Sequence, residues 1–183
     1  MSAAPRHRLP GDPTPTAEIE RMLRVDHAGE FGATRIYDGQ LAVLGRGRGA
    51  SEVRRMAEAE QRHLATFEGL LRRRRVRPTL LQPLWSIAGC VLGVGTALLG
   101  EAAAMACTVA VEDVIDAHYR DQAERLCGED AALSQTMADF RADEIAHRNA
   151  ALAQGAEQTP GYDVLTAAIR AGSRIAIWLS TRL

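Results

Sequence analysis

The sequence predicts an all-α protein, and three observations lead to this prediction. Only 4% of the 183 residues are aromatic, and the chain is rich in alanine and leucine, which favours helix over strand. Apolar residues recur at spacings of three and four, the period of an amphipathic helix. The glycines gather mostly between these periodic segments. The length predicts one domain, residues 17–183, because a chain of this size can bury a substantial core.

The first two helices are predicted to form an antiparallel hairpin. Residues 1–16 predict a disordered leader, because they are rich in proline and lack the apolar stretch of a secretory signal. Thr16 is the predicted cap of a first helix that ends at Leu44. The glycines of "GRGRG" follow, and Ser51 is the predicted cap of the second helix.

The segment Leu84–Leu99 has no charge over 16 residues, fewer than the roughly 20 that a spanning helix needs. It therefore predicts an in-plane or buried helix. Apolar residues resume after Glu101, so a kinked membrane-inserted hairpin stays open as an alternative. The glycines of "GVGTALLG" do not indicate a dinucleotide loop, because they lack the GxGxxG spacing and follow no strand.

Two further long helices are expected at 101 to about 126 and about 130 to 154. Thr159 and Pro160 are the predicted cap and first position of a last helix. Its end places Trp178 and several isoleucines beside arginines, so it is expected either at a membrane interface or packed on the bundle.

Charge and cysteine content exclude several classes of protein. The net charge is -1, so no overall field attracts nucleic acid. Three cysteines without CxxC spacing indicate neither a disulfide framework nor a zinc or rubredoxin-type site, and favour a reducing compartment. The arginine cluster "RRRRVR", residues 72–77, has two interpretations: cations at a helix C-terminus, or a phosphate-facing patch beside a membrane-seeking segment.

Two histidines follow a glutamate by three residues, in "EQRH" and "EIAH". Glu60 and His63 therefore share one face of their helix, and Glu144 and His147 share one face of theirs. Each pair can bind one metal ion.

The spacing about the predicted turns adds a partner glutamate to each pair. With a first turn near residue 47, Glu30 lies about one helical turn from the level of Glu60. The second turn centres near Gly128, the midpoint of Glu112 and Glu144. Each half of the chain thus contains a glutamate, a helix turn and a Glu-x-x-His motif. The two glutamates are 30 residues apart in the first half, Glu30 to Glu60, and 32 apart in the second, Glu112 to Glu144.

Stacking the two hairpins would bring four glutamates and two histidines to one level of a four-helix bundle. This is the ligand set of ferritin-like carboxylate-bridged di-iron proteins, and mixed oxygen and imidazole ligands suit iron or manganese. The alternative is a coincidence of salt-bridged helix faces.

Within "VEDVIDAHYRDQ", residues 111–122, helix geometry separates the candidates. Asp116 and Tyr119 lie on nearly the same face as Glu112, one and two turns along. His118 lies about 120° away, so it is a poor ligand for that ion and is either a pocket residue or an ordinary surface histidine. The remaining carboxylates are expected in solvent: Asp113 and Asp121.

The sequence resembles the demethoxyubiquinone hydroxylase family, the di-iron monooxygenases of ubiquinone biosynthesis, from about residue 17 to 183. The segments that carry the resemblance are "RVDHAGEFGATRIYDGQ", "EAEQRHL", "LLGEAAAMACTVAVEDVIDAHYRDQ", "DEIAH" and "IAIWLSTRL".

The resemblance implies a ferritin-like four-helix bundle with two additional membrane-associated helices and two Fe ions per subunit. The implied ligands are Glu30 and His63 for one iron, Glu112 and His147 for the other, and Glu60 and Glu144 as bridges. The implied activity is that of a 3-demethoxyubiquinol (2-polyprenyl-3-methyl-6-methoxy-1,4-benzoquinol) 3-hydroxylase, which inserts one oxygen atom from O2 into the quinol ring. His118 and Tyr119 are implied to contact the quinone or to relay protons.

The resemblance also implies a peripheral membrane protein on the cytoplasmic face of the inner (cell) membrane, with membrane lipid, a lipid-binding accessory protein and a second copy of the chain as partners. Electrons are expected from a separate donor, from NADH or from the quinol. Two alternatives remain: another ferritin-like activity such as iron oxidation or peroxide reduction, and a metal-free helical scaffold that binds membranes.

Overall fold

The computed structural model describes residues 11–183, except for the side chain of Arg48, and this part of the chain forms six α-helices and one 3-10 turn without a strand. The all-α prediction is confirmed. The helices are α1 (Pro15–Leu44), α2 (Arg48–Arg74), α3 (Gln82–Leu98), α4 (Glu101–Leu126), α5 (Ala131–Ala153) and α6 (Tyr162–Ser180). Residues 1–10 of the predicted leader lie outside the described residues, and its last two residues already belong to α1.

Helices α1 and α2 form one hairpin and α4 and α5 form another, and the two hairpins pack as a ferritin-like four-helix bundle. Two apolar clusters fill its core, one on each side of a polar level along the axis. The first includes Leu23, Phe67, Leu126 and Met137. The second includes Tyr37, Met56, Met105 and Ala151. The two clusters exclude water on both sides, so the polar side chains between them interact mainly with one another.

Helices α3 and α6 lie outside this bundle, α3 mainly against α1 and α6 mainly against α4. Helix α3 approaches α1 so closely that a Cβ atom on Gly93 would lie 2.0 Å from the carbonyl oxygen of Ile36. Only glycine permits this approach. The outer face of α3 leaves Ile87, Val91 and Leu98 exposed.

Three predicted helix starts are wrong by a few residues. The Thr14 hydroxyl, not that of Thr16, accepts from the Ala17 backbone N–H at 3.2 Å, because Pro15 fits the first helical position. Helix α2 begins at Arg48 with Gly47 as its cap, ahead of Ser51, because the last glycine of "GRGRG" tolerates helical geometry.

The last helix also begins later than predicted. Ala156–Gln158 form the 3-10 turn, and the Thr159 hydroxyl donates to the Ala156 carbonyl instead of capping a helix. Gly161, in the left-handed region at φ 73°, then precedes Tyr162, the first residue of α6. The predicted start at Thr159 and Pro160 is therefore wrong.

The apolar residues on the two sides of Glu101 belong to different parts of the structure. Although α3 is apolar, the residues after Glu101 turn back into the bundle, where Ala103–Val111 are buried. Within residues 11–183, none of the helices combines the length and the apolar character needed to cross a membrane.

Candidate metal centre

The structure brings all six predicted ligands together at the polar level of the bundle. Their side chains are at most 3% exposed. They form two groups, each with ligand atoms within 4.8 Å of one another: Glu30, Glu60, His63 and Glu144, and Glu60, Glu112, Glu144 and His147. Glu60 and Glu144 belong to both groups, the arrangement expected of two bridging carboxylates.

The helices position this cluster through local geometry. Glu60 and His63 lie one turn apart on α2, and Glu144 and His147 lie one turn apart on α5, so each pair faces the bundle axis. The His63 Nδ1 atom lies 3.2 Å from Glu144 Oε1, and the His147 Nδ1 atom lies 3.1 Å from Glu60 Oε1. Each imidazole thus points at the carboxylate of the other pair.

Several buried atoms of the cluster lie close to one another but make no hydrogen bond of suitable geometry: Glu30 Oε2, Glu60 Oε1, both Glu144 oxygens and Nδ1 of His63 and His147. Buried ionised groups without compensation cost several kcal/mol each. These atoms are also the oxygen and nitrogen donors that iron or manganese accepts. The residues present therefore fit a pair of metal ions.

Proton sharing compensates part of the charge in the metal-free cluster. Burial, reinforced by the nearby Glu144 carboxylate, raises the pKa of Glu60 and of Glu112 well above the ordinary glutamate value. Burial alone would lower the pKa of His63, but the Glu144 and Glu30 carboxylates raise it to about 10. The opposite holds for Glu30: burial alone would raise its pKa, but contacts with His63 and Glu60 lower it.

Two buried tyrosines orient the outer carboxylates across the hairpins. The Tyr119 hydroxyl on α4 donates to Glu30 Oε1, and the Tyr37 hydroxyl on α1 donates to Glu112 Oε1 at 2.8 Å. Sequence reasoning did not select Tyr37. The signal was present, because Tyr37 follows Glu30 by seven residues as Tyr119 follows Glu112.

Asp143 is a second contact that sequence reasoning missed. Its Oδ2 atom lies 3.0 Å from His63 Nε2, which leaves His63 Nδ1 to face the other side chains of the cluster. A carboxylate on the remote imidazole nitrogen fixes the ring and raises its basicity. The Phe140 ring stacks on His63 with centroids 3.9 Å apart and restrains the same rotation.

An apolar cavity of about 510 Å³ lies beside the cluster of glutamates and histidines, lined by α1, α3, α4 and α6. Gly29 and Ala33 contribute its α1 wall, and Val111 and Ile115 contribute its α4 wall. Glu30 and Glu112 lie on the inner faces of these two helices, toward α2 and α5. Helices α1 and α4 therefore separate the cavity from the cluster.

Residues 17–180 match the family described as ubiquinone biosynthesis protein COQ7. The chain belongs to this family. It is 56% identical over 177 residues to the 3-demethoxyubiquinol 3-hydroxylase of Rhodospirillum rubrum, covering 96% of this chain and 84% of that protein. It is 49% identical over 171 residues to the mitochondrial NADPH-dependent 3-demethoxyubiquinone 3-hydroxylase of Homo sapiens, covering 91% and 79%. The mitochondrial 5-demethoxyubiquinone hydroxylase of Saccharomyces cerevisiae is 38% identical over 184 residues, covering 91% and 79%.

His118 lies outside the metal-binding groups, as its helical angle predicted. Its Nε2 atom lies 3.0 Å from Asp26 Oδ1, and the Gln122 amide donates to the same oxygen at 2.7 Å. Both His118 and Gln122 line a polar cavity of about 980 Å³ between the start of α1, the end of α4 and the C-terminus. His118 is therefore a pocket residue, while Tyr119 is buried against Glu30.

Three carboxylates that follow Glu112 on α4 lie outside the cluster, and one of them, Asp113, differs from its prediction. Asp116 does not share the metal site, because Arg141 on α5 reaches its Oδ1 atom at 2.6 Å; the 40° drift between positions i and i+4 turns it outward. Asp113 is not free in solvent, because Arg148 and Arg170 pair with it. Asp121 is exposed, as predicted, and pairs with Arg120.

The arginine cluster contains the end of helix α2, so its helix-end interpretation is confirmed. Arg75, in the left-handed region at φ 56°, is the C-cap. Arg74 pairs with Asp130 at the α4–α5 turn, and the Arg72 guanidinium lies 3.7 Å from Glu68.

Proposed function

We propose that this protein is a di-iron 3-demethoxyubiquinol 3-hydroxylase, a monooxygenase that inserts one oxygen atom from O2 into the ring of a polyprenyl quinol. The observation that carries the proposal is the pair of buried ligand groups that share Glu60 and Glu144. The names of the relatives support the substrate. The apolar cavity beside the cluster fits the tail of such a quinol.

Glu30 and His63 would hold one iron ion, Glu112 and His147 the other, and Glu60 and Glu144 would bridge them. Bound iron would supply the redox chemistry that activates O2. The chain itself excludes water with the two apolar clusters. Its tyrosines and Asp143 hold the ligands in place.

The cavity would hold the hydrocarbon tail, because burial of apolar surface contributes about 25 cal/mol per Å². The ring would have to pass between α1 and α4 to reach the ligands. Gly29 leaves room there, since a Cβ atom at this position would meet only Ile115 Cδ1, at 3.8 Å. This small residue favours a passage near Glu30.

We propose that the protein attaches peripherally to the cytoplasmic face of the inner (cell) membrane through the outer faces of α3 and α6. Large apolar side chains are exposed there: Leu84, Ile87, Val91, Leu98, Val164, Ile175 and Trp178. Exposed apolar patches of this kind are typical of membrane or protein interfaces. A lipid-binding accessory protein or a second copy of the chain would use the same surface, and light scattering of the purified protein tests the second of these.

The arginine cluster would add attraction to anionic lipid, about 1 kcal/mol per residue near the surface. Changing Arg73 and Arg75 to Ser should weaken co-sedimentation with anionic vesicles, whereas Arg54→Ser, an exposed change on the same helix, should not. Equal co-sedimentation of both variants would exclude a role for the arginines.

The decisive experiment supplies a demethoxyubiquinol, O2 and NADPH or another reductant, and measures the hydroxylated ring by mass spectrometry. Glu144→Ala and His147→Ala should each lose iron and product while keeping their helicity. Asp139→Ala is the matched control, because this α5 residue is exposed and accepts a hydrogen bond from the Gln135 amide. Two irons and full activity in either ligand variant would reject the assignment.

The two rival functions give different results in the same preparation. An iron oxidase would consume Fe²⁺ and O2 and leave the quinol unchanged. A metal-free scaffold would bind vesicles without retaining iron after dialysis. Either result contradicts the proposed hydroxylase.

A further inference from the structure

Helix α6 forms one wall of the apolar cavity, yet few of its side chains are buried. Only Thr166, Ile169 and Ser180 are buried along its length. Its opposite face exposes Val164 and Ile175. The contacts that fix α6 to the bundle therefore decide where this wall of the cavity lies.

Among the described residues, a carboxylate on α4 joins α6 to the bundle by an ion pair. The Arg170 guanidinium on α6 donates to Asp113 Oδ2 from Nε at 3.0 Å and from Nη2 at 2.7 Å. The Arg148 guanidinium on α5 donates to the other oxygen at 3.3 Å. Arg170 also donates to the Thr166 hydroxyl at 3.2 Å, which restrains its rotamer. The side chains of Asp113, Arg148 and Arg170 are 27–35% exposed, so solvent screens their charges only in part.

This ion-pair network is joined to both the ligands and the cavity. Asp113 follows Glu112 and Arg148 follows His147, so the network lies one residue beyond a ligand on each helix. Ile169, which precedes Arg170, lines the cavity and packs with Val111 of α4. A shift of Arg170 would therefore move a side chain that lines the cavity.

We propose that the ion pair between Asp113 and Arg170 is a positioning contact that sets the α6 wall of the cavity and so determines how tightly the protein holds a long isoprenoid tail. This inference rests on the proposed function, because it takes the quinol tail as the occupant of the cavity. Arg170 acts through Ile169 and does not touch the reacting ring.

The test measures quinone binding to the metal-free protein by tryptophan fluorescence. Trp85 lines the cavity, and Trp178→Phe removes the other tryptophan of the chain. The two probes are a ubiquinone with a tail of several isoprene units and the same benzoquinone head group without a tail. Arg170→Met and Asp113→Asn are compared in this background.

Both variants should raise the Kd of the long-tailed quinone about tenfold. The double variant should have no higher Kd than Asp113→Asn alone, because both single variants remove the same Asp113–Arg170 ion pair. The Kd of the tail-free probe should not change. Arg170→Lys, which keeps the charge and loses the second donor, should be intermediate. Arg120→Met is the matched control, because Arg120 is exposed and pairs with its neighbour Asp121; it should bind like the parent.

An unchanged Kd for the long-tailed quinone in folded Asp113→Asn and Arg170→Lys variants would overturn the inference. An equal loss for both probes would do the same, since it would indicate general disruption. Both outcomes differ from failure of the proposed function, in which the parent protein itself would neither bind the long-tailed quinone nor form hydroxylated product.

Discussion

The contact between α1 and α3 predicts opposite changes in stability when two nearby glycines of α3 are each replaced by alanine. At Gly93 an added Cβ atom would lie 2.0 Å from the Ile36 carbonyl oxygen and 3.1 Å from the Gln40 amide nitrogen. At Gly95, which faces solvent two residues later, an added Cβ atom meets nothing within 4 Å. The two Gly→Ala variants thus differ in their surroundings and not in their chemistry.

The expected magnitudes follow from these distances. Ordinary van der Waals contact begins near 3.4 Å, so Gly93→Ala forces α3 away from α1 by about 1.4 Å. Both partners are backbone atoms, so no rotamer change relieves the clash, and overpacking costs about 3 kcal/mol. Replacing glycine in a helix recovers about 1 kcal/mol, leaving a net loss of about 2 kcal/mol. Gly95→Ala gains about 1 kcal/mol.

Urea denaturation of the metal-free proteins, followed by circular dichroism, measures both effects. In thermal unfolding the Gly93→Ala variant should melt about 4–8 °C below the parent, given about 2–4 °C per kcal/mol for a chain of this length. A Gly93→Ala variant as stable as Gly95→Ala would refute the close approach of α1 and α3. If both variants were destabilised equally, the loss would lie in α3 itself and not in its contact with α1.

Further predictions concern the metal-binding cluster. Asp143→Asn should weaken binding of one metal ion by about 10- to 100-fold, because the His63 ring loses its orienting carboxylate, whereas Asp139→Asn on the same helix should not; metal titration compares them. The free energy of unfolding of the metal-free protein should fall as pH rises above the ordinary glutamate pKa of 4.5. Glu60 and Glu112 have raised pKa values in the folded state, so the native state binds more protons than the unfolded state in this range. His63 extends the decline toward pH about 10, since its folded pKa is raised as well. Urea denaturation at several pH values tests this, and a rise in stability with pH would contradict it. Glu60→Gln should flatten the dependence.

Much of the bundle was predictable because its signals are local. Helices α4 and α5 begin and end within about one residue of their predicted bounds. The Glu-x-x-His pairs depend only on helical periodicity, which places residues i and i+3 on one face. The helix starts at Thr16, Ser51 and Thr159 were wrong because several residues in each segment can cap a helix.

Contacts between distant helices could not be predicted in the same way. The charge of Asp113 suggests solvent, but α6 covers that side of α4 and brings Arg170 to it. Asp116 lies near the ligand face by angle, but Arg141 holds it outward. Tyr37 follows a periodic signal, yet its role depends on α4 lying opposite α1.

The sequence by itself determined the level at which the ligands meet, because similar distances from two helix turns place Glu30, Glu60, Glu112 and Glu144 within about one helical turn of the same height in an antiparallel bundle. Only the tertiary structure decided what surrounds that level. The glycine contact joins α3 to α1 and the ion pair of Asp113 joins α6 to α4, and the cavity lies between these four helices. These contacts join residues far apart in the chain, so no local period records them.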